Sequence, residues 1–160
     1  MEPTVIDLAQ ALADDIAEFV DGVTCEVDKI GVTFGEPADP TGTNCKQILI
    51  WVQAVSPRPT EVQACTTLAV VTLAYRIYAC YPNQAQDPTV DQHEGAADCI
   101  YEISEAVWCG LVNGKDTGLL MGVGDCKRIV LGPLVSDVPR GGISSMTGTV
   151  TTDYECVGIS

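Results

Sequence analysis

The chain has 160 residues, of which 46% are hydrophobic and 19% are charged, and its formal net charge is −14. This composition is typical of a folded protein and disfavours a disordered chain, so we expect one domain over residues 1–160. The excess of carboxylates argues against a protein that grips nucleic acid or an anionic membrane, because both repel negative charge.

The first part of the chain predicts one helix followed by strands. Apolar residues recur every three or four positions from 4 to 20, as in an amphipathic helix with one buried face: Val5, Leu8, Leu12, Ile16 and Phe19. Weak alternation predicts a strand over 25–34, and Pro, Gly and Asp predict a loop over 36–44. Residues 46–55 are rich in Ile, Val and Trp and predict a strand, whereas the two prolines of 56–60 predict irregular chain.

Residues 65–81 predict a long strand. One of its faces carries Val71, Leu73, Tyr75 and Ile77, and the opposite face carries Val70, Thr72, Ala74 and Arg76. Because both faces are apolar for most of their length, we expect this strand to lie centrally in the sheet, covered on both sides by helices or by another subunit. The prolines of 82–88 then predict a loop.

A second helix is predicted to begin at Thr89, where Gln92 completes a capping box, and to end at 113–114. Its apolar face consists of Ala96, Cys99, Ile100, Ile103, Val107 and Leu111. An acidic stripe lies roughly opposite to this face: Asp91, Glu94, Asp98, Glu102 and Glu105. Tyr101 and Trp108 lie on a flank between the two, where they either close the rim of the core or contact a neighbouring subunit.

The last part of the chain predicts a turn or hairpin over 113–126, a short strand over 127–131, a projecting loop over 132–142 and a strand over 145–156. The last strand alternates clearly between two types of side chain, which is typical of a half-buried antiparallel strand. The predicted fold class is therefore α+β, a mostly antiparallel sheet of four to five strands with two main helices packed on it.

Two stretches of the chain contain no basic residue. Residues 1–28 carry eight carboxylates and no Lys or Arg, and six more carboxylates lie unopposed between Arg76 and Lys115. We expect the acidic stripe to lie on the wall or the lumen of a path that DNA traverses without binding, because phosphates are repelled there. A few basic residues are expected to contact the acidic stripe of a neighbouring copy: Arg58, Lys127, Arg128 and Arg140.

The chain has eight cysteines, with no Cys-x-x-Cys pair among them: Cys25, Cys45, Cys65, Cys80, Cys99, Cys109, Cys126 and Cys156. This spacing argues against a zinc ribbon or an iron–sulfur protein. We expect most of them to be small buried apolar side chains. The alternative is a set of disulfides, which would suit a particle that survives outside the cell.

The sequence contains no motif that indicates catalysis. His93 has no accompanying nucleophile motif, and we interpret it as a solvated residue at a helix start. The run 122–125 lacks the Lys of a phosphate-binding loop and predicts a turn. Asp14 and Asp15 are adjacent on a helix and point apart, which argues against a metal site. We therefore expect no enzyme activity, no metal and no cofactor.

The sequence also contains no targeting segment that we can identify. No apolar run reaches the roughly 18 residues of a membrane-spanning helix, so no membrane partner is expected. The first residues lack the basic and apolar regions of a secretory signal. We expect a protein that stays in the cytoplasm in which it is made.

The central strand and its flanks have a distinctive pattern: Cys65-x-x-Leu68-Ala69-Val70-x-Thr72-Leu73-x-Tyr75-Arg76-x-x-x-Cys80-x-Pro82. An alanine-rich helix with two cysteines follows at 96–109, and Gly141-Gly142 precede the last alternating strand. Together with the acidic first helix, this arrangement resembles a family of short late proteins from tailed phages of actinobacteria. The family often has a cysteine directly after the Gly-Gly, where this chain has Ile143.

The resemblance implies a head-to-tail connector protein of a siphophage, specifically a tail terminator. Such proteins look like α+β subunits of a six-fold ring that caps the tail tube and docks to the neck of the head. The implied partners are other copies of the chain, the major tail tube protein and the head-neck stopper or connector proteins. DNA would pass through the ring without specific binding, and the place of action would be the virion.

Within this interpretation, the predicted loops at 56–64 and 132–144 are the candidates for reaching neighbouring rings, because their prolines lower the entropy lost on docking. Three alternatives remain open. One is another neck component, such as a stopper or an adaptor. A second is a secreted binding domain held by disulfides. A small enzyme comes last, because no catalytic constellation is present.

Overall fold

The computed structural model describes the backbone of residues 5–40, 46–63, 66–80, 90–122, 128–138 and 143–157. It also describes the side chains of these residues, except those of 57–63, 66–68, 80, 90–96 and 154–157. The helices are α1, Val5–Phe19, and α2, Val90–Thr117. The strands β1 to β6 are, in order, Lys29–Val32, Gln47–Gln63, Thr66–Cys80, Ile129–Leu131, Val135–Ser136 and Ile143–Val157.

All six strands belong to one sheet with the order β1-β2-β3-β6-β4, and β5 also pairs with β6. β1 is parallel to β2, and the other pairs are antiparallel. The predicted α+β class, with a mostly antiparallel sheet, is confirmed, and β3 lies at the centre of the sheet as predicted. The number of strands is six instead of the predicted four to five, because β5 lies inside a segment predicted to be a loop.

Both helices pack on the same face of the sheet. The residues of β3 that face them are fully buried, namely Val71, Leu73, Tyr75 and Ile77. The apolar face of each helix meets them: Leu8, Leu12 and Ile16 from α1, with Ile100, Ile103, Val107 and Leu111 from α2. Each such side chain contributes about 1.5–3 kcal/mol by leaving water. The buried faces predicted from periodicity are therefore confirmed for these residues.

The opposite face of β3 is covered by extended chain segments. Ala74, Arg76 and Tyr78 are buried there, and Tyr78 forms a small cluster with Leu49 and Ile143. The segment after β1 and the segment after β5 both reach this face, since Glu36 and Asp137 lie against Arg76. The expected cover on both faces is found, but in the described residues the helices supply it on one face only.

The prediction of irregular chain at 56–60 is partly wrong, because the strand continues through these residues while its pairing with β3 is irregular from Pro57 to Val62. β2 continues to Gln63, and it pairs with β3 as one long hairpin. The pairing of this hairpin is interrupted between two residue pairs, Pro57 with Ala69 and Val62 with Thr67. Between these pairs β2 spans five residues and β3 only two. A bulge of this kind accommodates prolines, which cannot donate a ladder hydrogen bond.

The predicted end of α2 at 113–114 is also wrong. The helix continues to Thr117 and stops at Gly118, whose φ is +71°. The N–H of Gly118 donates to the carbonyl of Lys115 at 3.2 Å, and the N–H of Leu119 donates to that of Gly114 at 3.0 Å. This pair of bonds is a Schellman ending, which needs a residue with positive φ. Gly118 provides it, whereas Gly114 stays helical.

Three other boundaries differ from the predictions. The strand predicted over 25–34 is shorter, because only Lys29–Val32 pair with β2. The loop predicted over 132–142 contains β5, which pairs with β6 through Val135 and Ser136. The predicted hairpin region starts with the end of α2 and a 3₁₀ turn, Leu120–Gly122. The predicted loop 82–88, the cap at Thr89 and residues 123–127 lie outside the described residues.

Candidate interaction surfaces

The face of α2 that points away from the sheet carries the acidic stripe. Asp98, Glu102 and Glu105 are exposed on it. The other two predicted members, Asp91 and Glu94, lie in the helix, but their side chains are outside the described part. The stripe is therefore placed as predicted for the three residues whose side chains are described.

Two aromatic residues lie on the same side of α2. Tyr101 is 55% exposed and Trp108 is 38% exposed. They are seven residues apart, which places them on one line along the helix, beside Asp98 and Glu105. This partial exposure is compatible with either expected role, closing the rim of the core or contacting a neighbouring subunit. Exposed Tyr and Trp beside charged residues are typical of protein–protein contact surfaces.

Two contacts fix α2 to the segment between α1 and β1. Cys25 and Cys99 form a disulfide. One turn further along α2, the carboxylate of Glu102 accepts a hydrogen bond of 2.6 Å from the backbone N–H of Thr24. Glu102 thus has a structural contact as well as a place in the acidic stripe. Together the two contacts hold the acidic and aromatic side of α2 in a fixed position on the domain.

For one pair of cysteines the structure shows the alternative to buried apolar side chains, a disulfide. Of the three cysteines whose side chains are described, Cys25 and Cys99 are bonded and Cys109 is free and exposed. Sequence spacing did not reveal the pair, because the two cysteines are 74 positions apart. A bond between a loop and a helix becomes visible only once the packing of α2 on the sheet is known.

The four basic residues predicted at an interface are only partly placed by the structure. The side chain of Arg128 is 60% exposed just before β4, and its guanidinium lies 3.9 Å from Asp153. Arg58 lies in β2, but its side chain is outside the described part. Lys127 and Arg140 lie outside the described residues altogether.

Arg76 is the centre of a polar cluster on the face of the sheet without helices. Its guanidinium donates to Glu36 at 2.6 Å, to Thr147 at 2.9 Å and to the hydroxyl of Tyr78 at 3.3 Å. Its Cζ atom lies 5.2 Å from the centroid of the Trp51 ring, within the range of a cation–π contact. Burial lowers the pKa of Arg76, but the hydrogen bonds outweigh this effect and leave the pKa above its usual value.

A second carboxylate completes the cluster. Asp137 lies 3.7 Å from the Arg76 guanidinium and accepts hydrogen bonds from the hydroxyls of Ser145 at 2.8 Å and Thr147 at 2.9 Å. Through Glu36 and Asp137, the cluster ties the segments after β1 and β5 to the centre of the sheet. Sequence analysis identified Arg76 as a feature of the central strand, but it did not find these partners, which are 40 to 71 positions away.

Asp15 is part of another long-range contact. Its carboxylate accepts a hydrogen bond of 2.6 Å from the backbone N–H of Met121, whose φ is +54°. Burial raises the pKa of Asp15, while the hydrogen bond from Met121 opposes this shift. Its neighbour Asp14 is exposed and accepts a hydrogen bond from Gln10, so the two acids point apart as predicted.

Metal-ligating side chains do not cluster within the described residues. No group of three or more His, Cys, Asp or Glu side chains among them is placed to hold a metal ion. The side chain of His93 is outside the described part. Nor does the described chain include a helix with the length and apolar character needed to cross a membrane.

A comparison with protein-family models and with curated proteins finds no match for this chain. The surfaces described above and the pattern of the central strand are the features of the chain that indicate its function.

Proposed function

We propose that the chain is a virion structural protein, a subunit of a ring that terminates the tail tube of a phage and joins it to the neck of the head. The ring is proposed to contain six copies. The partners are other copies of the chain, the major tail tube protein and the stopper or connector proteins of the neck. DNA passes through the ring, and the protein acts in the virion without catalysis.

The observation that carries this proposal is the outer side of α2. It combines exposed carboxylates with two exposed aromatic rings, Tyr101 and Trp108. Carboxylates without neighbouring cations repel a passing phosphate backbone, and aromatic rings provide contact area for another protein. A rigid mounting, from the Cys25–Cys99 bond and the Glu102–Thr24 hydrogen bond, suits a part that must keep its position in a larger assembly.

The test of the ring is the mass and shape of the assembly. We expect native mass spectrometry and negative-stain electron microscopy to find closed rings of six copies, alone or after addition of tail tubes. Rings of twelve copies would instead support an adaptor. A monomer that neither forms rings nor binds tube ends would overturn the proposal.

The test of the biological role is assembly without the protein. We expect particles that lack it to have tails of abnormal length that are not joined to filled heads. Complementation with Trp108→Ala should restore fewer joined particles than complementation with Leu119→Ala, a matched control, because Leu119 is exposed but lies outside α2. Normal particles in the absence of the protein would contradict the proposal.

The role of the carboxylates is tested by removing their charge. Asp98→Asn with Glu105→Gln leaves the Glu102–Thr24 contact intact. We expect the doubly substituted protein to bind DNA at low salt, measured by fluorescence anisotropy, more strongly than the wild type does. Equal binding by both proteins would show that the acidic stripe does not repel DNA.

One observation favours a second candidate. The Cys25–Cys99 disulfide is a feature of proteins from oxidising environments, which suits a secreted binding domain. A tail protein that persists outside the cell has the same need, so the disulfide does not separate the two candidates. The copy number does, because a secreted domain is expected to remain a monomer in the ring assay.

A further inference from the structure

The sheet has an open edge where β1 stops. β1 pairs with β2 only from Gln47 to Ile50, and the N–H of Thr33 adds one more bond to the carbonyl of Ile50. Beyond this point β2 continues for a dozen residues with β3 as its only described partner strand. The backbone groups on the free side of such a strand are ready to pair with another strand.

An apolar groove lies beside this open edge. It has a volume of about 580 Å³ and is lined by the start of α1, the end of β1 and β2. Three large apolar side chains at this edge are exposed: Ile6 by 55%, Phe34 by 107% and Val55 by 51%. A phenylalanine as exposed as Phe34 is costly in water and gains most from burial in a contact. We call this surface the β2 edge.

The opposite end of the sheet has a second edge of the same type. It is formed by β4 and β5, which both pair with β6 on one side and have no described strand on the other. Its exposed apolar side chains are Val130, Val135 and Val138. We call this surface the β4–β5 edge. The nine exposed large apolar residues of the described chain thus include three at each edge.

Exposed charges of opposite sign lie beside the two edges, although Asp137, whose side chain is 32% exposed directly after β5, adds an acidic group to the β4–β5 edge. Asp7 follows Ile6, and Glu36, two residues after Phe34, has a side chain that is 66% exposed. Before β4, the side chain of Arg128 is 60% exposed, and Lys127 precedes it in the sequence. In a chain with net charge −14, contact between a basic and an acidic surface reduces the repulsion between copies.

We propose that the β2 edge of one copy binds the β4–β5 edge of a second copy of this chain, so that the sheet continues from copy to copy. The backbone groups of the edges supply hydrogen bonds, the apolar side chains fill the groove, and Arg128 of one copy approaches Asp7 and Glu36 of the next. Strand addition to a sheet edge is a common mode of protein recognition.

The proposed contact joins two different surfaces, so every bound copy still offers one free edge of each kind. Such a heterologous contact repeats until the rotation between copies closes it into a ring. The twist between neighbouring strands supplies a rotation at each step. The inference deepens the proposed function and rests on it for ring closure, while the pairing of the edges is tested on its own. The contact between the two edges leaves the outer side of α2 free for other partners.

The test places a photoreactive group in the groove. We would replace Phe34 with p-benzoylphenylalanine, which keeps an aromatic side chain there, and irradiate a mixture of isotopically light and heavy full-length chains. Mass spectrometry then identifies which peptides of a second copy are linked. We expect links to residues 128–138. The matched control carries the same group at Leu119, which is 74% exposed and belongs to neither edge, and should give no links to that segment.

A second measurement follows association by analytical ultracentrifugation. We expect Val135→Asp to weaken self-association at least about tenfold, or 1.4 kcal/mol, while Leu119→Asp changes it little. Links from position 34 to the β2 edge of the second copy would indicate a two-fold dimer and overturn the inference. Absence of links between copies would also overturn it.

The outcomes separate this inference from the proposed function. Rings that form without a cross-link from position 34 to residues 128–138 of a second copy, and that tolerate Val135→Asp, would overturn the edge contact. They would not contradict the proposed ring function. Links of the expected kind in open filaments would support the edge contact and contradict the terminator ring.

Discussion

The ring of Tyr75 lies directly against the backbone of Gly148, its partner across the β3–β6 pairing. A Cβ atom at position 148 would lie 2.5 Å from both Cζ and the hydroxyl oxygen of Tyr75. The ring is fully buried, and its hydroxyl has no hydrogen-bond partner among the described residues. Burial raises the pKa of this hydroxyl to about 12. The absence of a side chain at position 148 therefore allows the ring to lie on β6.

We expect Gly148→Ala to lower the free energy of unfolding by about 1–3 kcal/mol, because the new methyl group must displace a buried ring. Urea denaturation followed by circular dichroism measures the change. Gly31→Ala is the matched control in β1, since its added Cβ would meet nothing closer than 3.9 Å. Equal stability of the two variants would show that the ring moves without cost.

We expect Tyr75→Phe to leave the free energy of unfolding unchanged or to raise it by about 1 kcal/mol. A buried hydroxyl without a partner has lost its hydrogen bonds to water, and its removal eliminates that loss. The same urea titration applies. A clear drop in stability would reveal a hydrogen bond to this hydroxyl from a part of the chain that the structure does not describe.

Loss of the disulfide is expected to destabilise the protein. In the chain-entropy model, closing a loop of 74 residues lowers the conformational entropy of the unfolded chain and so stabilises the folded state by about 4 kcal/mol. We expect Cys25→Ser with Cys99→Ser to lower the free energy of unfolding by about 2–4 kcal/mol. Cys109→Ser is the control and should have little effect, because Cys109 is free and exposed. Alkylation without reductant should label Cys109 but neither Cys25 nor Cys99.

The pH dependence of stability is expected to report on Asp15. Its pKa in the folded protein lies above the unfolded value of 3.8, mainly because of burial. The folded state therefore binds the proton more tightly, so this residue's contribution to stability rises as the pH falls through its folded pKa and is complete below 3.8. Asp15→Asn keeps an acceptor for the Met121 N–H but cannot titrate.

Unfolding free energies of the wild type and Asp15→Asn, measured from pH 7 downwards, test this expectation. We expect the wild type to gain stability relative to the variant as the pH falls. Asp21→Asn is the control, because Asp21 is exposed just after α1 and is not among the groups that shift the pKa of Asp15. A wild type that loses stability relative to Asp15→Asn over this range would reverse the sign and contradict the expected pKa shift.

Removal of the Arg76 guanidinium is expected to loosen the face of the sheet without helices. We expect Arg76→Leu to lower the free energy of unfolding by about 2–3 kcal/mol, less than for a fully buried pair because Glu36 and Asp137 are partly exposed. Glu36→Gln should change it by less than about 1 kcal/mol, since that carboxylate is two-thirds exposed. Hydrogen exchange should increase in the segments around Glu36 and Asp137 in Arg76→Leu.

The elements that could be predicted from the sequence are those with a regular local pattern. The apolar period of α1 and the long apolar run of β3 identify both elements and their buried faces. The exact fit between elements is not in that pattern. Helical spacing puts Phe19 on the buried face of α1, and its ring packs directly on Gly110 of α2, where a Cβ would collide with it. Such a pairing depends on how the helices cross.

The features that sequence analysis missed depend on partners far along the chain. The prolines at 57 and 59 predict irregular chain, yet an interrupted pairing with β3 keeps β2 extended through them. β5 has two residues and exists only because β6 lies beside it. Of the candidate surfaces, the acidic stripe and the exposed aromatic residues of α2 follow from helical spacing, whereas the Arg76 cluster, the disulfide and the two sheet edges require the folded topology.

The Cys25–Cys99 bond encloses β1, β2 and β3 in one covalent loop, since all three strands lie between the two cysteines in the sequence. A protease that cuts once inside this loop would therefore leave both fragments attached to each other. The cleaved molecule would keep its intact mass apart from one added water and would separate only after reduction. Damage to the long hairpin of β2 and β3 would in this way not release either half of the molecule.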